Sequence, residues 1–238
     1  MNKEEFIKEI EKLGLTISDD ILKNLTIYLE FLKNYNQHTN LTAITSDNDI
    51  LLKHFYDSLT IIKAVDPSNI ESLLDIGSGA GFPGMVLKIF YPNLKVTLID
   101  SNNKKTKFLK ELALRMNVDV KIINDRVEDF AKNNLNKYDI VTSRAVANMR
   151  VLSELSLPLV KKDGLFIALK GNIAEELDES KQTIELMGGK IERIISFKLY
   201  DNNGNRNIVV VQKKRDTRIN ELRPYDKIIK NPLQKKFN

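Results

Sequence analysis

The chain of 238 residues has no cysteine and no tryptophan, and its only histidines are His38 and His54. Without cysteine there is no disulfide, no thiolate metal ligand and no cysteine nucleophile. Two histidines are a poor basis for a zinc site, so no metal is expected. No apolar run approaches the ~20 residues that cross a bilayer. The opening Met1-Asn2-Lys3-Glu4-Glu5 also lacks the basic-then-apolar pattern of a secretory signal. The expectation is a cytoplasmic monomer with no membrane partner. Proline is limited to six residues and glycine to ten, so a cluster of glycines in one short stretch carries information.

What is present is a 42% hydrophobic chain, long enough for one fair-sized domain and a smaller appendage. The net charge of +5 is unevenly spread. From Lys213 onward nine basic residues face three acidic ones, which leaves the remainder of the chain near neutrality. A basic arm of this kind attracts phosphate backbones without reading sequence. By composition it is equally a solvated tail.

The first part of the chain reads as helices. Phe6, Ile7, Ile10 and Leu13 recur at helical spacing up to Gly14, and Ser18-Asp19-Asp20 caps a longer pattern running from Ile21 to Tyr35. Asn34 to Asn40 is expected to break it. Ser46-Asp47 caps a third apolar stripe, which ends near Asp66-Pro67. Strand-like and helix-like runs alternate afterwards. Strands are expected at Leu73–Ile76, Lys95–Ile99, Val120–Ile123, Tyr138–Thr142 and Leu165–Leu169. Helices are expected at Pro83–Phe90, Lys104–Met116, Val127–Asn133, Met149–Val160 and Ala174–Met187. Lys190–Leu199 and Asn207–Gln212, joined by Asp201-Asn202-Asn203-Gly204-Asn205, form an antiparallel hairpin. The organisation is thus a helical region over residues 1–67, an α/β domain over 68–213 and a basic arm over 214–238. Alternation of this kind predicts a doubly wound, mostly parallel Rossmann-like sheet with helices on both faces and a terminal antiparallel hairpin. That is the sheet of class I S-adenosylmethionine-dependent methyltransferases.

The chemistry gathers where the strands end, because ligands of open α/β sheets bind beyond the carboxyl ends of the strands. After the first strand comes Asp75-Ile76-Gly77-Ser78-Gly79-Ala80-Gly81. Glycines at alternate positions allow a sharp turn that brings backbone N–H groups against a ligand. The spacing is not the Gly-x-Gly-x-x-Gly that serves a pyrophosphate in NAD and FAD sites. An acidic residue at this strand end suits an ammonium-bearing ligand without phosphate, which describes S-adenosylmethionine, with Asp75 facing its methionine end and Gly77 and Gly79 in the turn. Asp100, at the end of the second strand, occupies the position where a carboxylate accepts from ribose hydroxyls. Val127 and Glu128, after the third strand, can bracket an adenine.

The fourth strand limits the acceptor. The Asn/Asp-Pro-Pro-aromatic loop used on exocyclic amines is absent, since this chain has Asp139-Ile140-Val141-Thr142-Ser143-Arg144-Ala145-Val146. Pyrimidine C5 chemistry needs the missing thiol. What remains is an atom with a free lone pair, such as guanine N7, or an oxygen with a base nearby. Guanine N7 needs alignment and desolvation but no general base. Arg144 and Lys170 are candidate positioning residues for guanine O6, a phosphate or the cofactor carboxylate. His54 reads as a packing or hydrogen-bonding residue, and His38 has no assigned role.

With Asp75 to Gly84, Asp100 to Lys104, Asp125-Arg126-Val127-Glu128 and Ser143-Arg144-Ala145-Val146-Ala147 in view, the chain resembles the bacterial small-subunit rRNA guanine-N7 methyltransferases, formerly glucose-inhibited division protein B. Asn40-Leu41-Thr42-Ala43-Ile44, His54-Phe55-Tyr56-Asp57-Ser58-Leu59, Ala168-Leu169-Lys170-Gly171 and Arg206-Asn207-Ile208-Val209-Val210 extend the likeness over nearly the whole chain. The resemblance implies S-adenosylmethionine contacts at Gly77, Phe82, Val127, Glu128 and Arg144. It implies activity or rRNA contact at Lys104, Arg126, Lys170 and Arg206. It also implies the target, N7 of the guanine in the 530 loop of 16S rRNA, and the small ribosomal subunit as partner. The tail departs from relatives in carrying Arg223-Pro224-Tyr225-Asp226 where they often have a Pro- and Lys-rich stretch. Read from residues alone, a small-molecule O-methyltransferase and a non-catalytic rRNA-binding adaptor stay open.

Overall fold

The computed structural model describes residues 1–144 and 146–233. Ala145 of the Ser143–Ala147 motif, and Lys235 and Lys236 of the basic arm, lie outside the described residues. Helix α1 (Lys3–Lys12) starts with a reciprocal capping box between Asn2 and Glu5. Helix α2 (Asp19–Thr39) starts where the Ser18 side chain accepts from the Ile21 N–H. It does not break at Asn34. Tyr35 packs edge-on against Phe31 and Phe108, at centroid distances of 5.4 and 5.1 Å, and this anchors the last turns. The helix stops at Asn40, whose φ of 52° is left-handed. The third apolar stripe is not one regular helix. It comprises α3 (Asp47–Ile50), a π-helical turn (Leu51–Tyr56), α4 (Asp57–Leu59) and a 3-10 turn (Thr60–Lys63).

The remaining elements are β1 (Ser72–Ile76), α5 (Gly84–Phe90), β2 (Lys95–Ile99), α6 (Asn103–Met116), β3 (Lys121–Ile123), α7 (Val127–Ala131), β4 (Tyr138–Arg144), α8 (Met149–Ser156), β5 (Val160–Lys170), α9 (Ala174–Leu186), β6 (Gly189–Lys198), β7 (Asn205–Lys213) and α10 (Tyr225–Lys230). The seven strands lie in the order β3-β2-β1-β4-β5-β7-β6. The first five are parallel, and β7 pairs antiparallel with both β5 and β6. The winding reverses between β1 and β4, which places a crevice at their carboxyl ends. The expected helix through Val160 ends instead at Ser156, because Pro158 has no N–H to continue it, and Val160 opens β5.

Period-2 alternation assigns each strand residue to a face. Leu73, Ile140, Ile167 and Val210 point to one core cluster, while their neighbours Leu74, Val141, Phe166 and Val209 point to the other. Each such buried side chain contributes roughly 1.5–3 kcal/mol. The first cluster also contains Phe6, Ile10, Leu25, Tyr28 and Leu32 from the N-terminal helices. The core thus runs across the expected boundary at residue 67, which falls in a 3-10 turn, Pro67–Asn69.

The described part of the C-terminal segment is not a free arm. Lys213 is fully buried and donates to the carbonyls of Leu157 (2.8 Å) and Met187 (3.0 Å), and burial pushes its pKa down to about 8. Arg215 pairs with Glu221 through both terminal nitrogens at 2.9 and 2.7 Å. Arg223 grips the buried Glu154 at 2.6 and 2.7 Å. Helix α10 then seats Ile228 against Val151 and Leu155 of α8. The expectation of a phosphate-gathering arm is corrected for three residues only: Lys213 and Arg223 are held by carbonyls and a carboxylate of the body and Arg215 by Glu221, whereas Arg218, Lys227 and Lys230 remain exposed.

Candidate functional site

Beyond β1 the chain makes the turn expected of its glycines, with φ of +65° at Gly77 and +103° at Gly81. The turn is built from both sides. The N–H groups of Gly77 and Ser78 donate to the Ile99 carbonyl at 2.8 and 3.1 Å, and the Gly79 N–H donates to Asp100 Oδ2 at 3.0 Å. From beneath, the Tyr28 hydroxyl donates to the Ala80 carbonyl, and a Cβ at Gly81 would stand 2.5 Å from that hydroxyl oxygen. Only glycine fits there.

Two cavities meet at this turn, sharing Gly77 and Lys105 in their walls. The first, about 300 Å³, is lined by Asp100, Arg126, Val127, Glu128, Leu155 and Tyr225, among others. The second, about 520 Å³, has Gly79, Phe82, Arg144, Lys170 and Arg206 in its wall, with Thr42, His54 and Asp57 reaching over from the helical region. Gly77, Gly79, Phe82, Asp100, Arg126, Val127, Glu128, Arg144, Lys170 and Arg206 are thereby brought to one continuous crevice.

Two of the expected residues are elsewhere. Asp75 is fully buried below the turn and lines neither cavity. Its Oδ2 accepts from the Gly84 N–H at 2.9 Å, at the start of α5, while Oδ1 has no partner. Burial pushes its pKa up to about 7. The expectation that Asp75 faces a ligand ammonium is therefore corrected to a supporting role under the turn, where its carboxylate is held by the first N–H of α5. Lys104 is exposed and lines neither cavity, whereas its neighbour Lys105 lines both, with Nζ 3.7 Å from Asp100 Oδ2.

The charged side chains of the second cavity are mutually engaged. Arg144 Nη1 donates to the Lys53 carbonyl at 2.7 Å and to Asp57 Oδ2 at 3.0 Å, and Nη2 lies 3.1 Å from His54 Nδ1. The other Asp57 oxygen accepts from Arg206 Nε at 2.8 Å. Lys170 donates to the Ala147 carbonyl at 2.8 Å and pairs with Glu176 at 2.7 Å. Glu176 in turn accepts from the Met149 N–H at 2.9 Å, so Lys170 steadies the loop after β4. A stack runs from Tyr28 through Phe82 to His54, with centroid spacings of 5.3 and 4.4 Å. The Arg144 guanidinium lies 5.2 Å from the Phe82 ring centre. Sequence reasoning gave no functional role to Asp57, Thr42, Lys105 or Tyr225. For Asp57 the available signal was the His54–Leu59 segment, quoted only as part of a resemblance.

His54 is a neutral hydrogen-bonding residue. A guanidinium can only donate, so Nδ1 accepts from Arg144 and the proton resides on Nε2, which donates to Thr42 Oγ1 at 2.9 Å. Burial, then the Arg144 charge, lowers its pKa from 6.5 to about 3. The unfolded chain takes up this proton below pH 6.5 and the folded chain does not, so the histidine makes stability fall with acidification between pH 6.5 and about 3. The expected slope is up to about 1.4 kcal/mol per pH unit. Thermal melts at pH 7.5 and 5.5 should show the wild type losing more stability than His54→Gln; parallel losses would contradict the neutral assignment.

The residues fit a nucleoside-bearing cofactor: a glycine turn, a crevice on either side of Gly77, and at one end a carboxylate, Asp100, on the rim of the first cavity. Among the described residues no group of three or more His, Asp or Glu side chains is placed to hold a metal ion, and no helix is long and apolar enough to cross a membrane.

A family model described as rRNA small subunit methyltransferase G matches residues 21–209. The chain is 44% identical over 221 residues to Ribosomal RNA small subunit methyltransferase G of Bacillus licheniformis, covering 91% of this chain and 92% of that protein. The protein of the same name from Oceanobacillus iheyensis is 45% identical, with 91% and 93% covered. Among solved structures, M. jannaschii TYW2 in complex with AdoMet superposes with a TM-score of 0.52 at 17% identity, covering 65% of this chain and 74% of that one. Precorrin-6y C5,15-methyltransferase from Geobacter metallireducens gives 0.50 at 14% identity, with 67% and 87% covered. At these identities the structural likenesses speak for the fold.

Proposed function

The chain belongs to the rRNA small subunit methyltransferase G family, and on that premise we propose that it methylates N7 of a guanine in the 530 loop of 16S rRNA, using S-adenosylmethionine. S-Adenosylmethionine supplies an electrophilic methyl group on a sulfonium. The first cavity takes its adenosine: Asp100 accepts from the ribose hydroxyls, while Val127 and Glu128 flank the base. The second cavity takes the methionine end and the incoming guanine. There Phe82 forms an apolar wall, and Arg144, Lys170 and Arg206 orient carboxylate, O6 or phosphate. Lys104 and Arg126 serve rRNA contact from outside this second cavity.

The observation that carries this reading is the state of the acids and the imidazole lining the second cavity. Asp57 is held by Arg144 and Arg206, Glu176 by Lys170 and the Met149 N–H, and His54 by Arg144 and Thr42. All three are committed, and none is left to take a proton. An oxygen nucleophile needs such a base, whereas guanine N7 presents its lone pair unprotonated and requires only alignment and exclusion of water. This disfavours small-molecule O-methylation.

The test uses small ribosomal subunits from cells lacking the gene, incubated with the protein and labelled S-adenosylmethionine. Borohydride reduction and aniline scission then reveal N7-methylguanosine as a strand break. One new break in the 530 loop is expected. Label in rRNA with no scission, or no label despite rRNA binding, would overturn the proposal.

A further inference from the structure

The C-terminal segment meets the first cavity rather than leaving the body. Tyr225, the first residue of α10, is half-buried and forms part of that cavity's wall beside Val127 and Leu155. The Arg126 guanidinium sits over its ring, 5.0 Å from the centroid. Contacts on both sides of Tyr225 fix its place. On one side Arg223 holds Glu154, which is 3% exposed, through two bonds of 2.6 and 2.7 Å. On the other, Ile228 is buried against α8, and Arg150 donates to the Ile228 carbonyl at 2.8 Å.

A segment whose work is to collect phosphates keeps its cations in solvent. Here Arg223 is turned inward onto Glu154 and Arg215 is tied to Glu221, while Arg218, Lys227 and Lys230 stay exposed, and the segment delivers an aromatic ring to the crevice. A phenol ring beside Val127 and Leu155 supplies flat apolar area with one polar tip, the surface that a purine nucleoside takes.

We infer that Tyr225 is a binding residue for the adenosine portion of the cofactor, and that the contacts of Arg223 and Ile228 on either side of it serve to hold it in the wall of the cofactor site. The inference rests on the proposed assignment of the first cavity to adenosine. Its consequence is that truncating or altering the tail weakens the cofactor before it weakens RNA.

Calorimetry with S-adenosylhomocysteine and filter binding of 16S rRNA in the absence of cofactor together decide it. Tyr225→Ala is expected to raise the S-adenosylhomocysteine Kd about tenfold, in line with the loss of one aromatic contact. Tyr225→Leu keeps the buried bulk without the flat ring and should show the same loss, and Tyr225→Phe should restore affinity. rRNA binding should be unchanged in Tyr225→Phe and should fall far less than cofactor affinity in the other two, where Arg126 loses the ring beneath it. Wild-type cofactor affinity in Tyr225→Ala or Tyr225→Leu, or a loss confined to rRNA, would overturn the inference. Failure of the wild type itself to bind S-adenosylhomocysteine would count against the cofactor reading instead.

Discussion

Asp57→Ala is expected to lower kcat/KM for rRNA methylation by about a hundredfold or more, the size of loss that follows an ångström of misplacement at a reacting centre. Asp57 is buried, with 5% of its surface exposed, and its two oxygens separately hold Arg144 Nη1 and Arg206 Nε. Removing the carboxylate leaves two part-buried guanidinium groups next to each other with no countercharge. Unpairing a buried ion pair costs about 3–5 kcal/mol, so the two side chains will separate. His54 loses its alignment too, because Arg144 supplies the proton that its Nδ1 accepts. Asp57→Asn keeps one acceptor oxygen and should recover part of the rate. Cofactor affinity should fall too, because Arg144 is offered to the cofactor carboxylate, but less than turnover in both variants, since Asp57 lies outside the first cavity that takes the adenosine. Steady-state kinetics on small subunits beside calorimetry measures the split. Equal losses in turnover and in cofactor binding would remove the positioning role.

Asp100→Ala should weaken cofactor binding by about a hundredfold or more. The carboxylate is 7% exposed and accepts from two backbone donors, Gly79 N–H at 3.0 Å and Asn102 N–H at 2.8 Å. A hydrogen bond to a charged group is worth about 1.5–3 kcal/mol, so losing one to a ribose hydroxyl costs about tenfold to a hundredfold in affinity. Releasing the Gly79 N–H loosens the turn and adds to the loss. Asp100→Asn retains one oxygen, yet its amide can no longer accept on both sides, so an intermediate affinity is expected. Calorimetric titration with S-adenosylhomocysteine checks this, and wild-type affinity in Asp100→Ala would refute the assignment.

Much of the crevice was legible because it is local. The glycine turn, Asp100 and the Val127-Glu128 pair each follow a strand whose end could be read from a short apolar run, and the sheet order brings those ends together. Where the reading failed, the deciding contact came from a distant part of the chain. Asn34–His38 stay helical because Tyr35 meets Phe108. Two of the basic residues counted in the tail, Arg223 and Lys213, are held by Glu154 and by carbonyls that no composition count could locate. Lys104 and Lys105 are adjacent in sequence, and only the helical phase of α6 decides which of them faces the crevice. Asp75 was placed in the site by its position in the motif, whereas the N–H of Gly84, nine residues on, holds its carboxylate beneath the turn.

Tyr28 belongs to α2, but its hydroxyl holds the Ala80 carbonyl and its ring carries Phe82. The amino-terminal helices are therefore no detachable cassette. A lineage could not exchange them for another module without rebuilding the floor on which the glycine loop rests. Heredity should accordingly treat the two halves as one piece.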